Sequence, residues 1–319
     1  MKLDPGYGLG LVLRRLKGFM AHPERYFNYA LFRLLQVFSR TQATKFYHKK
    51  ITGEKLDLIN PKTFSHKLQW LKLYDPNPLK TLCADKYRVR EYVRDCGYED
   101  ILNNLIFVCD HTAEIDWDSL PETFVLKCNH GSGYNVICND KSKLDKQAAI
   151  KKLNKWLRTD FGRLFCEPHY SPIPRRIICE TYLMPDKGLL PVDYKLFCFN
   201  GKPEYIVVAA DRDWNLNYST VDTNWQSVDI FRDGIISPTL AKKPNNLARM
   251  LECAAALAKP YAFVRVDFYD YKDNLIFGEL TFTPSMCMGK EFTEFGQQLF
   301  GELITLPEAA SSKGAKYTD

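Results

Sequence analysis

Chemistry is concentrated in one stretch of the chain, Ala262 to Met286, which reads AFVRVDFYDYKDNLIFGELTFTPSM. Phe263 to Tyr269 and Leu275 to Phe282 are rich in β-branched and aromatic residues, so each predicts a strand. The polar run Asp270 to Asn274 between them predicts the turn of a hairpin centred near Lys272. Side chains alternate along a strand, so Arg265, Asp267 and Tyr269 share one face, as do Phe277, Glu279, Thr281 and Thr283 on the return strand. This register puts Arg265 opposite Glu279, with Asp267 on the neighbouring diagonal, at cross-strand spacings of about 5 Å and about 7–8 Å. Carboxylates that close repel unless a cation lies between them. Hard oxygens so arranged suit Mg²⁺ held together with phosphates. A surface hairpin with an ordinary Arg–Glu pair would read the same way.

A second group lies in TFVLKCNHGSGYNVIC, residues 123–138. Phe124 to Cys128 predicts a strand with Val125, Lys127 and Asn129 on one face. The loop Gly131-Ser132-Gly133 leads into a return strand from Tyr134 to Cys138. A lysine before such a loop is what a triphosphate needs, because the ammonium supplies a point charge and the glycines let backbone N–H groups close on the phosphates. The spacing is neither a P-loop nor G-x-G-x-x-G, and taken alone the Gly-Ser-Gly loop reads first as a plain hairpin turn. Glu180 sits in the apolar strand Ile177 to Leu183, where a carboxylate needs a partner unless the strand is a wet edge. Lys195 lies on the strand Asp193 to Phe199, which turns at Asn200-Gly201 into Glu204 to Ala210.

Helices must position these strands. Asn60-Pro61-Lys62-Thr63 predicts a helix start, with Phe64, Leu68, Leu71 and Tyr74 on one face. Leu79 to Cys96 predicts one helix whose Asp85, Lys86, Arg88, Arg90 and Arg94 form a solvated charged face. Asp145 to Arg158 and Leu247 to Lys259 predict two more. Residues 7–40 are basic and apolar over much of their surface. They suit either an interfacial anchor on an anionic membrane or a helical pair packed on the main domain.

The 319 residues permit one to three domains, and the net charge of +6 suits an anionic ligand or membrane surface without calling for nucleic acid. The six histidines show no metal-ligand spacing. The ten cysteines form no C-x-x-C pair and mostly lie in apolar runs, which points to reduced thiols in a cytoplasmic protein without disulfides or zinc. No secretory signal and no bilayer-spanning apolar run is present.

Asp85-Lys86, Lys127, Gly131 to Gly133, Glu180, Arg265-x-Asp267 and Glu279-x-Thr281-x-Thr283-Pro284 follow the order of an ATP-grasp enzyme. The last element resembles the E-x-N-x-x-P run of D-alanine–D-alanine ligases. N-P-K-T-F-S-x-K-L-Q-W-L-K, D-K-Y-x-V-R, V-L-K-C-N-H-G-S-G, D-Y-K-x-F-C-F-N-G-K-P and F-G-E-L-T-F-T-P more closely resemble the TupA-like ATP-grasp family of teichuronopeptide biosynthesis, over about residues 50–305.

That resemblance implies an α+β, ATP-grasp fold, two α+β subdomains gripping ATP, with a helical N-terminal region. The implied divisions are 1–80 helical, 81–185 the small lid subdomain, 186–306 the large subdomain and 307–319 a disordered tail. Lys86, Lys127 and the Gly131, Ser132, Gly133 loop would hold the ATP phosphates. Glu180 and the connector with Tyr182 and Leu183 would meet adenosine. Lys195 would approach phosphates or substrate, and Asp267, Glu279 and Thr281 would carry Mg²⁺. Arg265 would stabilise the anionic intermediate. Thr281 departs from the usual asparagine, which puts a second metal in doubt. The implied activity is ADP-forming ligation of a carboxylate to an amine through an acyl phosphate, attaching an amino acid or amine to a sugar acid in cell-surface polysaccharide (capsule, cell envelope) assembly. Two alternatives remain: a phosphotransferase on a glycan, or a glycosyltransferase-associated glycan-binding protein, with Trp156 to Arg176 and Arg212 to Trp225 as candidate glycan contacts. The expected partner is a small-molecule or glycan substrate, and residues 7–40 are the candidate contact with the inner membrane face.

Overall fold

The computed structural model describes residues 23–75, 77–184, 191–210, 217–232 and 241–308. The first part of the candidate membrane segment (7–22), the start of the second candidate glycan stretch (212–216) and the tail from 309 lie outside the described residues. Those described fall into two compact units, 23–57 and 58–308.

The first unit pairs α1 (Pro23–Phe38) with α2 (Arg40–Thr52). Ser39 makes the corner: its hydroxyl accepts the Gln42 N–H at 3.3 Å. Gly53, at φ 84°, ends α2 in the left-handed conformation that glycine adopts without a Cβ penalty. Phe32 is buried and stacks on Tyr47 at 4.4 Å.

The second unit opens with α3 (Phe64–Tyr74), α4 (Leu79–Ala84) and α5 (Val89–Asp95). Its smaller sheet contains β1 (Leu105–Cys109), β2 (Phe124–Cys128), β3 (Asn135–Cys138) and β4 (Ile177–Thr181), in the order β1-β4-β2-β3. Helices α6 (Lys146–Leu157) and α7 (Phe161–Phe165) lie between β3 and β4 in sequence. Ala149 and Leu153 of α6 pack on Phe124, Leu126, Cys128 and Cys179. The larger sheet contains β5 (Val192–Phe199), β6 (Lys202–Ala210), β7 (Asn217–Asp222), β8 (Phe263–Tyr271) and β9 (Asn274–Thr281), in the order β7-β6-β5-β8-β9. All the pairings are antiparallel. Helix α8 (Leu247–Ala258) precedes β8, and α9 (Glu294–Leu303) follows β9.

Period-two alternation gives the larger sheet two buried faces. Leu196, Cys198, Val264, Val266 and Phe268 pack on α8. On the other face Phe197, Phe199 and Phe263 meet α3 and α9, with the Phe64 ring edge-on to Phe263 and Phe300 at 5.2 Å each. That second face is divided. Its aromatic half is core, and the continuation of the same strands carries Asp193, Lys195, Arg265 and Asp267. The core thus fixes the sheet that presents the charges.

Three expectations change. The first helix of this unit starts at Phe64, not Pro61, because Thr63 is its cap and accepts the His66 N–H at 3.4 Å; its last residue, Tyr74, is exposed. The expected helix Leu79 to Cys96 is two helices. Asp85 Oδ1 accepts the backbone N–H groups of Tyr87 (2.8 Å) and Arg88 (3.3 Å), which turns the chain between them. Its charged face is not wholly solvated either, since Asp85 and Arg90 are buried. Finally, the β8–β9 register differs by one pair: Asp267 faces Glu279, and Arg265 faces Thr281. A β-bulge lies between Phe277, opposite Phe268, and Glu279. It leaves Gly278 as the extra residue and reverses the phase of β9, so Phe277 joins the α8 core and does not share a face with Glu279.

Candidate active site

The hairpin β8–β9 and strand β5 set two rows of side chains across three strands. One row is Lys195–Asp267–Glu279, and the next is Phe197–Arg265–Thr281. Arg265 Nε donates to Asp267 Oδ1 at 2.7 Å and Nη2 donates to Oδ2 at 2.6 Å, a two-point fork. Arg265 Nη2 also donates to Thr281 Oγ1 at 3.1 Å, and the Thr281 hydroxyl donates to Glu279 Oε1 at 2.9 Å. Lys195 Nζ donates to Asp267 Oδ2 at 3.2 Å and to the carboxylate of buried Asp193. Burial works to lower the Lys195 ammonium, but Asp267 and Asp193 outweigh it and hold it above its ordinary value. Burial likewise works to raise the Glu279 carboxyl. The charges of Lys86 and Arg265, with the Thr281 hydrogen bond, outweigh it and hold that carboxyl at about 2.

Lys86 carries the site across to the smaller sheet. It sits at the break between α4 and α5, and its backbone N–H donates to Asn129 O at 3.1 Å. Its ammonium donates to Gly131 O at 2.8 Å and lies 3.5 Å from Glu279 Oε2. Asn129 secures the break: its Nδ2 donates to Asp85 Oδ1 and to Pro174 O, each at 2.8 Å, and its Oδ1 accepts the Arg176 N–H at 2.7 Å. Burial pushes the Asp85 carboxyl up, opposed by the Asn129 hydrogen bond.

On the smaller sheet, β4 is central, so Glu180 is not a wet edge residue. It is buried between Lys127 Nζ (2.6 Å) and Arg90 Nη1 (3.4 Å), and Arg90 Nη2 donates to Asn103 O at 2.8 Å. Gly131 is buried, while Ser132 and Gly133 are exposed. A Cβ on Gly131 would lie 2.7 Å from the Phe161 ring, so only glycine lets the loop pass there. Tyr134 anchors the far side of the loop by stacking on Trp156 at 5.1 Å.

The structure therefore brings Lys86, Lys195, Arg265, Asp267, Glu279 and Thr281 into one charged cluster, joined through Lys86 to Gly131. Lys127 and Glu180 form a separate pair on the smaller sheet. Tyr182 and Leu183 follow β4 as a half-exposed connector. Sequence reasoning missed Asp193, Arg90 and Asn129 as partners of these groups. The i, i+2 spacing of Asp193 and Lys195 was a usable signal for the first, since it puts both on one strand face. Arg90 was masked by the expected solvated helix.

Among the described residues no group of three or more His, Cys, Asp or Glu side chains is placed to hold a metal ion. Mg²⁺ needs no such cage, because it is commonly held by one or two carboxylates together with phosphates and water. Of the two carboxylates paired across β8 and β9, Glu279 is half-exposed and fits that donor set directly, while Asp267 is buried with both oxygens accepting from Arg265 and would join it through the remaining lone pair of Oδ1.

A family described as TupA-like ATPgrasp matches residues 66–305. No curated protein matches the chain. Among solved structures, D-alanine–D-alanine ligase from Bacillus anthracis complexed with ATP is 15% identical, with a TM-score of 0.38, over 63% of this chain and 53% of that one. The Helicobacter pylori D-alanine–D-alanine ligase is 16% identical, with a TM-score of 0.41, over 76% and 69%. Phosphoribosylamine–glycine ligase from Thermotoga maritima is 10% identical, with a TM-score of 0.36, over 64% and 48%. The chain thus spans little more than half the length of the Bacillus anthracis ligase, and these likenesses are coarse.

Proposed function

The chain belongs to the TupA-like ATP-grasp family, and from that premise we propose that it is an ADP-forming ligase joining a carboxylate to an amine. The observation that carries the reading is the cluster itself: Arg265 forked onto Asp267, beside Glu279, with Lys86 reaching in from the other sheet.

In this reading the carboxylate oxygen of the acid attacks the γ-phosphorus of ATP, the bond to the bridging oxygen breaks, and ADP leaves behind an acyl phosphate. An amine then attacks the acyl carbon, loses a proton, and expels inorganic phosphate as the amide forms. Lys86, Lys127 and the Gly131–Gly133 loop supply cations and backbone N–H groups to the phosphates of ATP. Glu180, Tyr182 and Leu183 meet the adenosine. Lys195 offers its proton-bearing ammonium to the phosphoryl group being transferred. Asp267 and Glu279 would hold Mg²⁺, which when bound would spread the charge that develops on the phosphoryl group being transferred. Thr281 steadies Glu279 through its hydroxyl. Nε and Nη2 of Arg265 are committed to Asp267 and Thr281, leaving Nη1 as the edge that meets the oxyanion formed as the amine attacks. Closure over the cleft keeps water from the acyl phosphate.

We extend the proposal to substrate class by family analogy alone: a sugar acid and an amino acid or other amine, joined during cell-surface polysaccharide assembly. The test is nucleotide turnover by purified protein with Mg²⁺ against a panel of uronic acids and amines, with Glu279→Gln as control. The reading expects acid-dependent ADP and phosphate, absent in the variant. AMP with pyrophosphate, or ADP with a stable phosphorylated product, would reject ligation through an acyl phosphate.

A further inference from the structure

The 23–57 unit carries a feature the ligase reading does not use. Among the described residues the exposed large apolar side chains include Tyr26, Phe27, Leu34, Val37 and Phe38 of α1, five of ten in all, with Phe27 and Phe38 68% and 67% exposed. Phe27, Ala30, Leu34, Val37 and Phe38 recur at helical spacing and line one stripe. The opposite side of α1 carries Phe32 into the contact with Tyr47 that holds the unit together. One face of the helix is satisfied, and the other presents aromatic and branched apolar groups outward. Contiguous apolar surface of this kind marks a docking face.

Charge identifies what docks. Residues 1–57 contain 11 Lys and Arg against 4 Asp and Glu, whereas the remaining 262 residues contain 33 against 34. The whole net positive charge of the chain therefore lies in the segment that bears the apolar stripe. Arg40, Lys49 and Lys50 of the neighbouring α2 are exposed. A second copy of the unit would bring like charges together across the stripe, so it does not complement it. An anionic, apolar-backed surface does. No helix among the described residues is long and apolar enough to cross a membrane.

We propose that α1 is an interfacial helix that seats the protein on an anionic lipid bilayer, with Phe27, Leu34, Val37 and Phe38 among the acyl chains and the surrounding lysines and arginines against the headgroups. Such helices bind through buried apolar area plus attraction to anionic lipid, and both ingredients are present in one short unit.

The test is co-sedimentation of the full chain with vesicles of phosphatidylcholine alone, and of phosphatidylcholine and phosphatidylglycerol in equal parts, at low and high salt. Binding should be tighter to the anionic vesicles by at least about tenfold, the effect of one or two basic residues at a charged surface, and should weaken as salt screens it. The triple variant Phe27→Glu, Leu34→Glu, Phe38→Glu should lose that binding while retaining circular dichroism and nucleotide turnover, because the altered groups are exposed. In a Phe38→Trp variant, the emission added by the new indole should shift blue only when anionic vesicles are present. Equal or absent binding to both vesicle types would overturn the proposal. So would an added emission that is already blue without lipid, which would put residues 1–22 or a second copy on the stripe; concentration-dependent sedimentation would separate those two.

Discussion

Arg265 shows how much of this site depends on side-chain geometry rather than charge alone. A guanidinium meets a carboxylate at two points and can still offer a third edge, whereas an ammonium is a single point. Arg265→Lys should therefore keep nucleotide affinity close to wild type and lower kcat by roughly 10²–10³, the effect of removing one preorganised oxyanion donor. A steady-state comparison in which KM for ATP rises while kcat holds would place Arg265 in binding instead. Behind the site, Glu167 and His169 give a pH prediction. Burial pushes the Glu167 carboxyl up to about 7, against its hydrogen bond to Thr283. Burial pushes the His169 imidazole down to about 3, with Lys80 and Lys72 adding repulsion. Glu167 therefore contributes stability that is full below its ordinary 4.5 and lost as pH rises through about 7. His169 contributes stability that is full above its ordinary 6.5 and lost as pH falls toward about 3. Between 4.5 and 6.5 the two oppose each other. In urea titrations across that window, Glu167→Gln should make stability rise more steeply with pH than wild type, by about 1.4 kcal/mol per unit. His169→Gln should tilt it the other way, and unchanged slopes in both would refute the assignment. At this scale Arg265, Asp267 and Glu279 were readable because alternation puts charges on one face of a strand. Glu167 and His169 were not, since nothing in a polar, aromatic run says which residues become buried.

A single extra residue decides what β9 presents. Without the bulge at Gly278, strict alternation would group Phe277 with Glu279, and one of them would face the wrong environment. A Cβ at Gly278 would lie 3.0 Å from Asp267 O, so Gly278→Ala makes β8 and β9 give by a few tenths of an ångström at the point where Asp267 faces Glu279. The expected result is a loss of activity out of proportion to a destabilisation of about 1–3 kcal/mol, read by turnover and chemical denaturation on the same preparation. An alanine variant of full activity would show that the phase shift does not position Glu279. The hairpins themselves were legible: Asn200-Gly201 and Lys272-Asp273 turn with positive φ where polar turn residues predicted turns. The bulge was not, because a glycine inside a strand pattern permits one without requiring it. The helix break at Asp85 was equally hidden. Lys86 becomes available only because the Asp85 carboxylate takes two backbone N–H groups and Asn129, which is 44 residues away in sequence, holds it there.

The larger unit holds two sheets joined at a charged seam, and Cys83, Ala84, Val89 and Val93, expected in the lid subdomain, pack into the core of the larger sheet. Strand β1 and helix α9 completed the architecture without any chemical signature to announce them. Since Lys86 touches Gly131 on one side and Glu279 on the other, a nucleotide bound between the sheets should stabilise both together. Mg²⁺ and ATP at a hundredfold excess over Kd should raise wild-type stability by about 2.7 kcal/mol. Lys86→Met should lose most of that gain while the nucleotide-free protein melts close to wild type, because a partly exposed pair contributes little by itself. An undiminished ATP-induced shift in the variant would remove Lys86 from the grip. The central claim is that an acyl phosphate forms in this cleft, and hydroxylamine tests it most directly. With ATP, Mg²⁺ and the carboxylic acid identified by turnover, but no amine substrate, added hydroxylamine should capture the acyl group as a hydroxamate in step with ADP release. Glu279→Gln should give neither product. ADP release without hydroxamate would contradict the account, since the phosphoryl group would then have gone to something other than a carboxylate.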